Sequence, residues 1–367
     1  MGGMTDISSP WPLFGLADDS RPPLRRILEN GECAALATIS ALGGGGPRPA
    51  GTQMVIGRSE VSGFLSGGCL EADVVAHARL VLQSGRARRL VYGEGSPWPD
   101  IRLMCGARIE ILLERISPAD TATHALFELT DQRRPALWIS DGARRACGCL
   151  DRALPFWPGA LEKVFEPFPR LIVIGGDPTA LAIAALGGQA GYQTTLVRPK
   201  GPPGAAPFEA VAYSRDEPGA ALAAIGLDAW TAVAVATHDA ELDHAALMVA
   251  LPSEAFYVGA LGARRRLPER LAQLRAEGMG EAFISRLHAP IGLDIGGKAP
   301  WEVAIATLGE IIAQRAARVR HMARTVGMAT SNSERSSIQP RPGKKPRAAS
   351  GAKTSRTLRT GPSSTRK

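Results

Sequence analysis

Residues 171–197 constrain the fold of this chain more than any other stretch. Leu171 to Ile174 is a short apolar run, Gly175-Gly176-Asp177-Pro178 is a turn, a helical pattern follows to about Ala190, and Gly191 precedes a second strand at Thr194 to Val197. Strand, glycine turn, helix and strand in this order open a βαβ unit. Two more apolar runs, Ala232 to Ala236 and Phe256 to Val258, and an apolar-striped helix over Trp301 to Arg318 extend it. Alternating strands and helices predict a parallel sheet covered on both faces, here over 168–320.

Residues 21–116 form a second compact unit. Helices are expected at Leu24 to Glu29 and Asp73 to Leu82, the latter closed near Gly85. Strands are expected at Cys33 to Ile39, Gln53 to Ile56, Val61 to Leu65, Arg89 to Tyr92 and Ile109 to Glu114. Between the two units, 117–167 reads as an irregular connector with a helix at Ala122 to Leu129, a strand at Ala136 to Ile139, and prolines at 155, 158 and 167. The fold class is therefore α/β: an N-terminal α/β domain plus a C-terminal Rossmann-like parallel-sheet domain, with a disordered basic C-terminal tail.

Charge isolates that tail. The 367 residues carry a formal +8, but residues 329–367 hold ten Lys/Arg against Glu334, leaving 33 basic and 34 acidic side chains in the rest. A nearly neutral body does not support a folded nucleic-acid-binding surface. The tail at 328–367 lacks the large apolar residues needed to order itself. Five cysteines, at 33, 69, 105, 147 and 149, are odd in number and scattered. They form no disulfide framework and suit a reducing, cytoplasmic setting. No secretory signal or membrane-length apolar run is expected.

The first chemical candidate is Gly63-Phe-Leu-Ser-Gly-Gly-Cys69-Leu-Glu71. Gly67 and Gly68 permit a tight turn and close approach by a ligand. A cysteine at a helix start faces the positive end of the helix dipole, so Cys69 is a nucleophile or soft-ligand candidate. The alternative is a small thiol packed inward. Arg48 follows a glycine run and can reach a phosphate, and Cys105 is a second thiol that could share a soft metal or sulfur species with Cys69. Cys147 and Cys149 match no zinc-site spacing, and no metal site is expected.

In the second unit a dinucleotide fingerprint wants glycines at its first, third and sixth positions, which here are Gly175, Asp177 and Ala180. Asp177 before Pro178 is a good helix N-cap, and its carboxylate would repel a pyrophosphate. Arg198 stands where an acid would meet the ribose. An ordinary NAD(P) site is thereby weakened. Thr237-His238-Asp239 falls at a strand's carboxyl end, with His238 a proton shuttle or ligand and Asp239 its orienting partner, or else with Asp239 simply capping a helix. Gly259-Ala-Leu-Gly262 runs into Arg264-Arg265-Arg266, a phosphate-suited group or a plain charged helix start. Arg286 to Gly296 is a shaped loop carrying His288 and Asp294.

Taken in order, S-G-G-C-L-E at 66–71, C-G at 105–106, the βαβ start, T-H-D at 237–239, G-A-L-G-A-R-R-R at 259–266 and R-L-H-A-P-I-G-L-D-I-G at 286–296 resemble the XdhC/CoxI family of accessory factors for molybdenum hydroxylases. The resemblance covers roughly 21–116 and 168–318. It implies a protein that binds molybdenum cofactor (molybdopterin), protects it, supports its sulfuration and delivers it to a molybdenum hydroxylase apoenzyme such as xanthine dehydrogenase. Implied with it are a cysteine desulfurase as sulfur donor and self-association as a homodimer. Cys69 is carried over as the functional thiol and Cys105 as the second. Arg48, Gly67, Gly68, Glu71, Gly175, Gly176, His238, Asp239, Gly262, Arg264, His288 and Asp294 are the expected cofactor-binding set. The chain departs from the family pattern at 175–180, at Arg198 and at Ala107. Two other readings stand beside it: an NAD(P)-dependent oxidoreductase using His238 and Asp239, and a non-catalytic scaffold bridging a hydroxylase and a sulfur donor.

Overall fold

Two long strands, β1 (Ala34–Gly43) and β5 (Arg108–Ile116), pair antiparallel at the centre of the first sheet. β2 (Gln53–Ile56), β3 (Val61–Gly63) and β4 (Arg88–Tyr92) complete five strands in the order β3-β2-β1-β5-β4. The computed structural model describes residues 11–325 except 17, 45, 47, 95, 97–105, 107 and 156. Cys105 and the 328–367 tail thus lie outside the described residues.

The two-residue period of a strand sets the layering. Ala35, Ala37 and Ile39 of β1 face α2 (Glu71–Ser84), meeting Val74, Val75, Ala78 and Val81. Ala34 and Leu36 face the other way, against Leu24, Ile27 and Leu28 of α1 (Arg21–Glu29) and Leu126 and Leu129 of α3 (Thr121–Asp131). Leu36 is 2 % exposed, so truncating it to alanine costs about 2–5 kcal/mol.

The 117–167 stretch is more regular than expected. β6 (Ala136–Ser140) pairs antiparallel with β7 (Arg145–Cys149) and β8 (Leu161–Phe165), making a three-stranded sheet. Fully buried Trp138 of β6 joins this sheet to α1 and α3. Glu114 of β5 is also sealed there. It accepts from Ser140 Oγ at 2.6 Å and from Arg145 Nη2 at 3.0 Å. Burial pushes its carboxyl up, against the pull of Arg145.

The second sheet is wholly parallel, in the order β11-β10-β9-β12-β13-β14. Its strands are β9 (Arg170–Ile174), β10 (Gln193–Val197), β11 (Val211–Ser214), β12 (Thr231–Val235), β13 (Tyr257–Ala260) and β14 (Leu287–His288). α4 (Pro178–Gln189) and α9 (Pro300–Thr325) cover one face, where Ala180, Ile183, Ala304 and Ile311 are buried with Val173 and Ala234. α5 (Pro218–Ile225), α6 (Ala240–Ala250), α7 (Leu267–Ala276) and α8 (Glu281–Ile284) cover the other. Strand order reverses between β9 and β12, and in such folds the crevice past the strand ends at that reversal is where ligands bind. Arg133 ties the end of α3 to this domain, donating to Asp228 Oδ2 at 2.6 Å and to the Phe168 carbonyl at 3.1 Å. Among the described residues no helix is long and apolar enough to cross a membrane.

Candidate functional site

Glu71, expected to bind cofactor, is turned inward. It is 3 % exposed. Its Oε1 accepts from the Leu65 and Ser66 amides at 3.0 and 2.7 Å, and its Oε2 accepts from Ser66 Oγ at 2.9 Å and the Leu70 amide at 3.2 Å. Both oxygens are committed to the chain's own turn, so Glu71 shapes the turn instead of touching a ligand. Burial raises its carboxyl, but the donated hydrogen bonds outweigh burial and hold it below the usual carboxylate range. The turn that it anchors presents Gly67, Gly68 and Cys69 to solvent. The two glycines take left-handed φ of +112° and +99°, conformations costly for other residues. Cys69 lies two residues before the first helical residue of α2, with its thiol exposed and not packed inward. Tyr92 steadies the helix by donating to Asp73 Oδ2 at 2.5 Å. Arg48 is half-buried and ion-paired with Asp18.

The carboxyl edge of the parallel sheet gathers most of the other expected residues. After β9, Asp177 caps α4, accepting from the Ala180 amide at 2.8 Å. Its second oxygen meets His238 Nε2, from the loop after β12, at 3.1 Å. His238 therefore pairs with Asp177 and not with Asp239. Asp239 is occupied as the cap of α6, accepting from the Glu241 and Leu242 amides at 3.0 and 3.2 Å. Gly175 is required by close approach: a Cβ there would sit 2.2 Å from the Ala236 carbonyl oxygen. Gly176 is covered, because a Cβ would lie 2.2 Å from Arg198 Nε. A carboxylate and a guanidinium thus occupy the turn where a dinucleotide's pyrophosphate would rest.

Beside this turn a cleft of about 720 Å³ opens between α6, α7 and the loops after β12, β13 and β14. Thr237, His238, Gly262, Arg264, Arg265 and Arg266 are among its walls. At its base Asp243, 3 % exposed, accepts from Thr237 Oγ1 at 2.6 Å and pairs with Arg270. Burial raises the Asp243 carboxyl against these partners. Arg264 pairs with Asp294 at 2.9 Å, both well exposed. The cleft is built from the second domain, and neither Cys69 nor Arg48 is in its walls.

His288 sits on a polar hub that residue spacing does not reveal. Its Nδ1 lies 2.9 Å from Glu310 Oε1, while Tyr257 Oη and the Gly292 amide donate to Glu310 Oε2 at 2.6 and 2.9 Å. The His288 ring stacks on Tyr257 with centroids 4.6 Å apart. Burial first, and then Glu310, push the Tyr257 phenol far above its ordinary range. The available signal for Glu310 is an acid between Leu308 and Ile311 on the buried stripe of α9. Arg286 is structural, donating to the Leu251 and Ser253 carbonyls at 2.6 Å.

Family comparison joins the two ends of the chain. Residues 27–93 match the model of the XdhC and CoxI family, and residues 171–311 match that of the XdhC Rossmann domain. The molybdenum cofactor insertion chaperone PaoD of Escherichia coli (strain K12) is 32% identical over 306 residues, 82% of this chain and 90% of PaoD. This chain belongs to the XdhC and CoxI family. A second relative, a probable xanthine dehydrogenase subunit of Bacillus subtilis (strain 168), is 25% identical over 80% of this chain and 96% of its own length. The fold is shared with the crystal structure of a xanthine dehydrogenase from Bacillus halodurans, with a TM-score of 0.66 and 21% identity over 81% of this chain and 96% of that one. Within the XdhC and CoxI family framework, the Cys69 turn falls in the first matched segment and the arginine cleft in the second. The β6–β8 sheet lies between the two segments.

Proposed function

We propose that this chain is an accessory protein of a molybdenum hydroxylase, with molybdenum cofactor as its cargo. In this reading it binds and protects the cofactor, supports its sulfuration with sulfur from a cysteine desulfurase, and hands it to the apoenzyme. A homodimeric assembly belongs to the same proposal. The observation that carries the reading is similarity to an insertion chaperone along 82% of this chain and 90% of the relative.

The donor set fits such cargo. Molybdopterin offers a terminal phosphate and a soft, dithiolene-bound metal, which call for guanidinium groups and a thiol respectively. Cys69 supplies an accessible sulfur on a turn held by Glu71, and Cys105 is proposed as the second thiol. Arg48, Gly67 and Gly68 flank the first position. Gly262, Arg264, His288 and Asp294 shape the second domain's part, with Gly175, Gly176, His238 and Asp239 forming its adjoining edge. A hydride-transferring oxidoreductase is disfavoured by Asp177 and Arg198 at the glycine turn. A pure scaffold would not need an exposed cysteine on so constrained a turn.

The test is cofactor loading of the client hydroxylase in a host lacking this protein. Restoration by the wild-type chain and weak restoration by Cys69→Ala are expected. Full loading without the protein would contradict the proposal.

A further inference from the structure

We infer that the second domain seats the phosphate-bearing end of its ligand on Arg265 and Arg266 in the cleft beside α7, and not on the glycine turn after β9. This site assignment rests on the cargo-handling reading above and specifies the chemistry that the second domain recognises.

The glycine turn is spoken for. The Asp177 carboxylate stands at the start of α4, with one oxygen on the Ala180 amide and the other on His238. The Arg198 side chain lies against Gly176, where a phosphate would have to approach the backbone. An incoming dianion would meet a carboxylate and a blocked peptide edge. The usual phosphate seat of a dinucleotide fold is therefore closed by the chain itself.

One loop further along the same sheet edge arginines outnumber carboxylates. Arg264, Arg265, Arg266 and Arg270 line the cleft, against the carboxylates of Asp243 and Glu269. Arg270 is already committed to Asp243, and Arg264 to Asp294. Arg265 and Arg266 are exposed, and no hydrogen bond or ion pair is made by either guanidinium among the described residues. Gly262, before this run, leaves the peptide open: the nearest atoms to a Cβ there belong to the Arg270 guanidinium, at 3.6 Å. Two uncommitted guanidinium groups beside an unobstructed backbone suit a phosphomonoester or diphosphate, because the planar fork of arginine matches phosphate oxygens in pairs. His238 lies on the rim between the closed turn and the open cleft. The ligand chemistry is thus a terminal phosphate or diphosphate, whether it ends the pterin directly or links it to a nucleotide.

The test is calorimetric titration of the full chain with inorganic phosphate, pyrophosphate and a nucleoside diphosphate at low salt. Saturable binding of pyrophosphate is expected, weakened about tenfold or more in Arg265→Ala and Arg266→Ala, as befits loss of a charge-assisted contact. Arg198→Ala is expected to leave the affinity unchanged. Tighter binding of the nucleoside diphosphate than of pyrophosphate would assign a nucleotide-linked source, and equal binding a plain phosphate end. Unchanged unfolding midpoints establish that the surface variants remain folded. Three results would overturn the assignment: no saturable binding to any of the three probes, affinity insensitive to both arginines, or loss of affinity in Arg198→Ala alone. Pterin content, measured on the same preparations, separates the two claims. Pyrophosphate binding through Arg265 and Arg266 without retained pterin would remove the cargo reading and leave this site standing. Retained pterin with anion binding insensitive to both arginines would do the reverse.

Discussion

His238 Nε2 meets Asp177 Oδ2 at 3.1 Å across the point where the parallel sheet reverses its strand order. The same carboxylate caps α4, so one side chain both starts a helix and closes a ligand seat. Asp177→Ala is expected to lower stability by about 1 kcal/mol through loss of the cap, whereas Asp177→Asn, which caps as well, keeps most of it. Urea unfolding of the two variants checks this.

Glu71 makes the Cys69 turn sensitive to acid. Its carboxyl is held below the ordinary range in the folded chain. The stabilisation is therefore complete above the unfolded value of about 4.3 and is lost as pH falls through the lower folded value. Glu71→Ala, which strands the amides of Leu65, Ser66 and Leu70, is expected to cost about 2–3 kcal/mol at pH 7. Glu71→Gln is expected to flatten the acid limb of a stability–pH curve, and an unchanged limb would rule out this role.

Thiol labelling separates the cysteines. Burial, then the neighbouring Cys149, push the Cys147 thiol up to about 12, and Cys149 is buried. Cys69 is exposed. Iodoacetamide at pH 8 followed by peptide mass analysis is expected to modify Cys69 well before Cys147 or Cys149. Prior labelling of Cys147 in folded protein would contradict the structure.

Glu310 holds the loop after β14. Glu310→Ala leaves the Tyr257 hydroxyl and the Gly292 amide without their acceptor, a loss of about 3 kcal/mol. Hydrogen exchange at Gly292 is expected to quicken while the first sheet keeps its protection.

The buried pair of Glu114 and Arg145 offers a sharper contrast. Arg145→Met alone leaves a sealed carboxylate without its cation and is expected to cost about 3–5 kcal/mol. Adding Glu114→Gln is expected to recover much of it, as read from a double-mutant cycle in urea.

The parallel sheet is legible in the sequence because β9 and β12 are continuous apolar runs punctuated by glycine turns, a pattern written locally. The β6–β8 sheet is not. Arg145 to Cys149 has no strong strand signature, and its pairing with Ala136 to Ser140 is set by tertiary packing around Trp138. The Asp177 cap is readable from its place before Pro178. Its partner His238 lies 61 positions away, and nothing in local spacing joins them. Glu71 misleads because a buried carboxylate and a ligand-facing one look alike in sequence, and only the donors converging on it distinguish them. Cys69 is an exposed thiol of the first domain, whereas the arginine cleft is walled by the second, a separation that no local spacing reveals.

The central claim, that this chain carries molybdenum cofactor, is tested most directly by pterin fluorescence and metal analysis of protein purified from a cofactor-producing host. Close to one pterin per chain in the wild type, with marked loss in Cys69→Ala, is the predicted result. Wild-type protein that is folded yet free of pterin and molybdenum after expression in that host would contradict it.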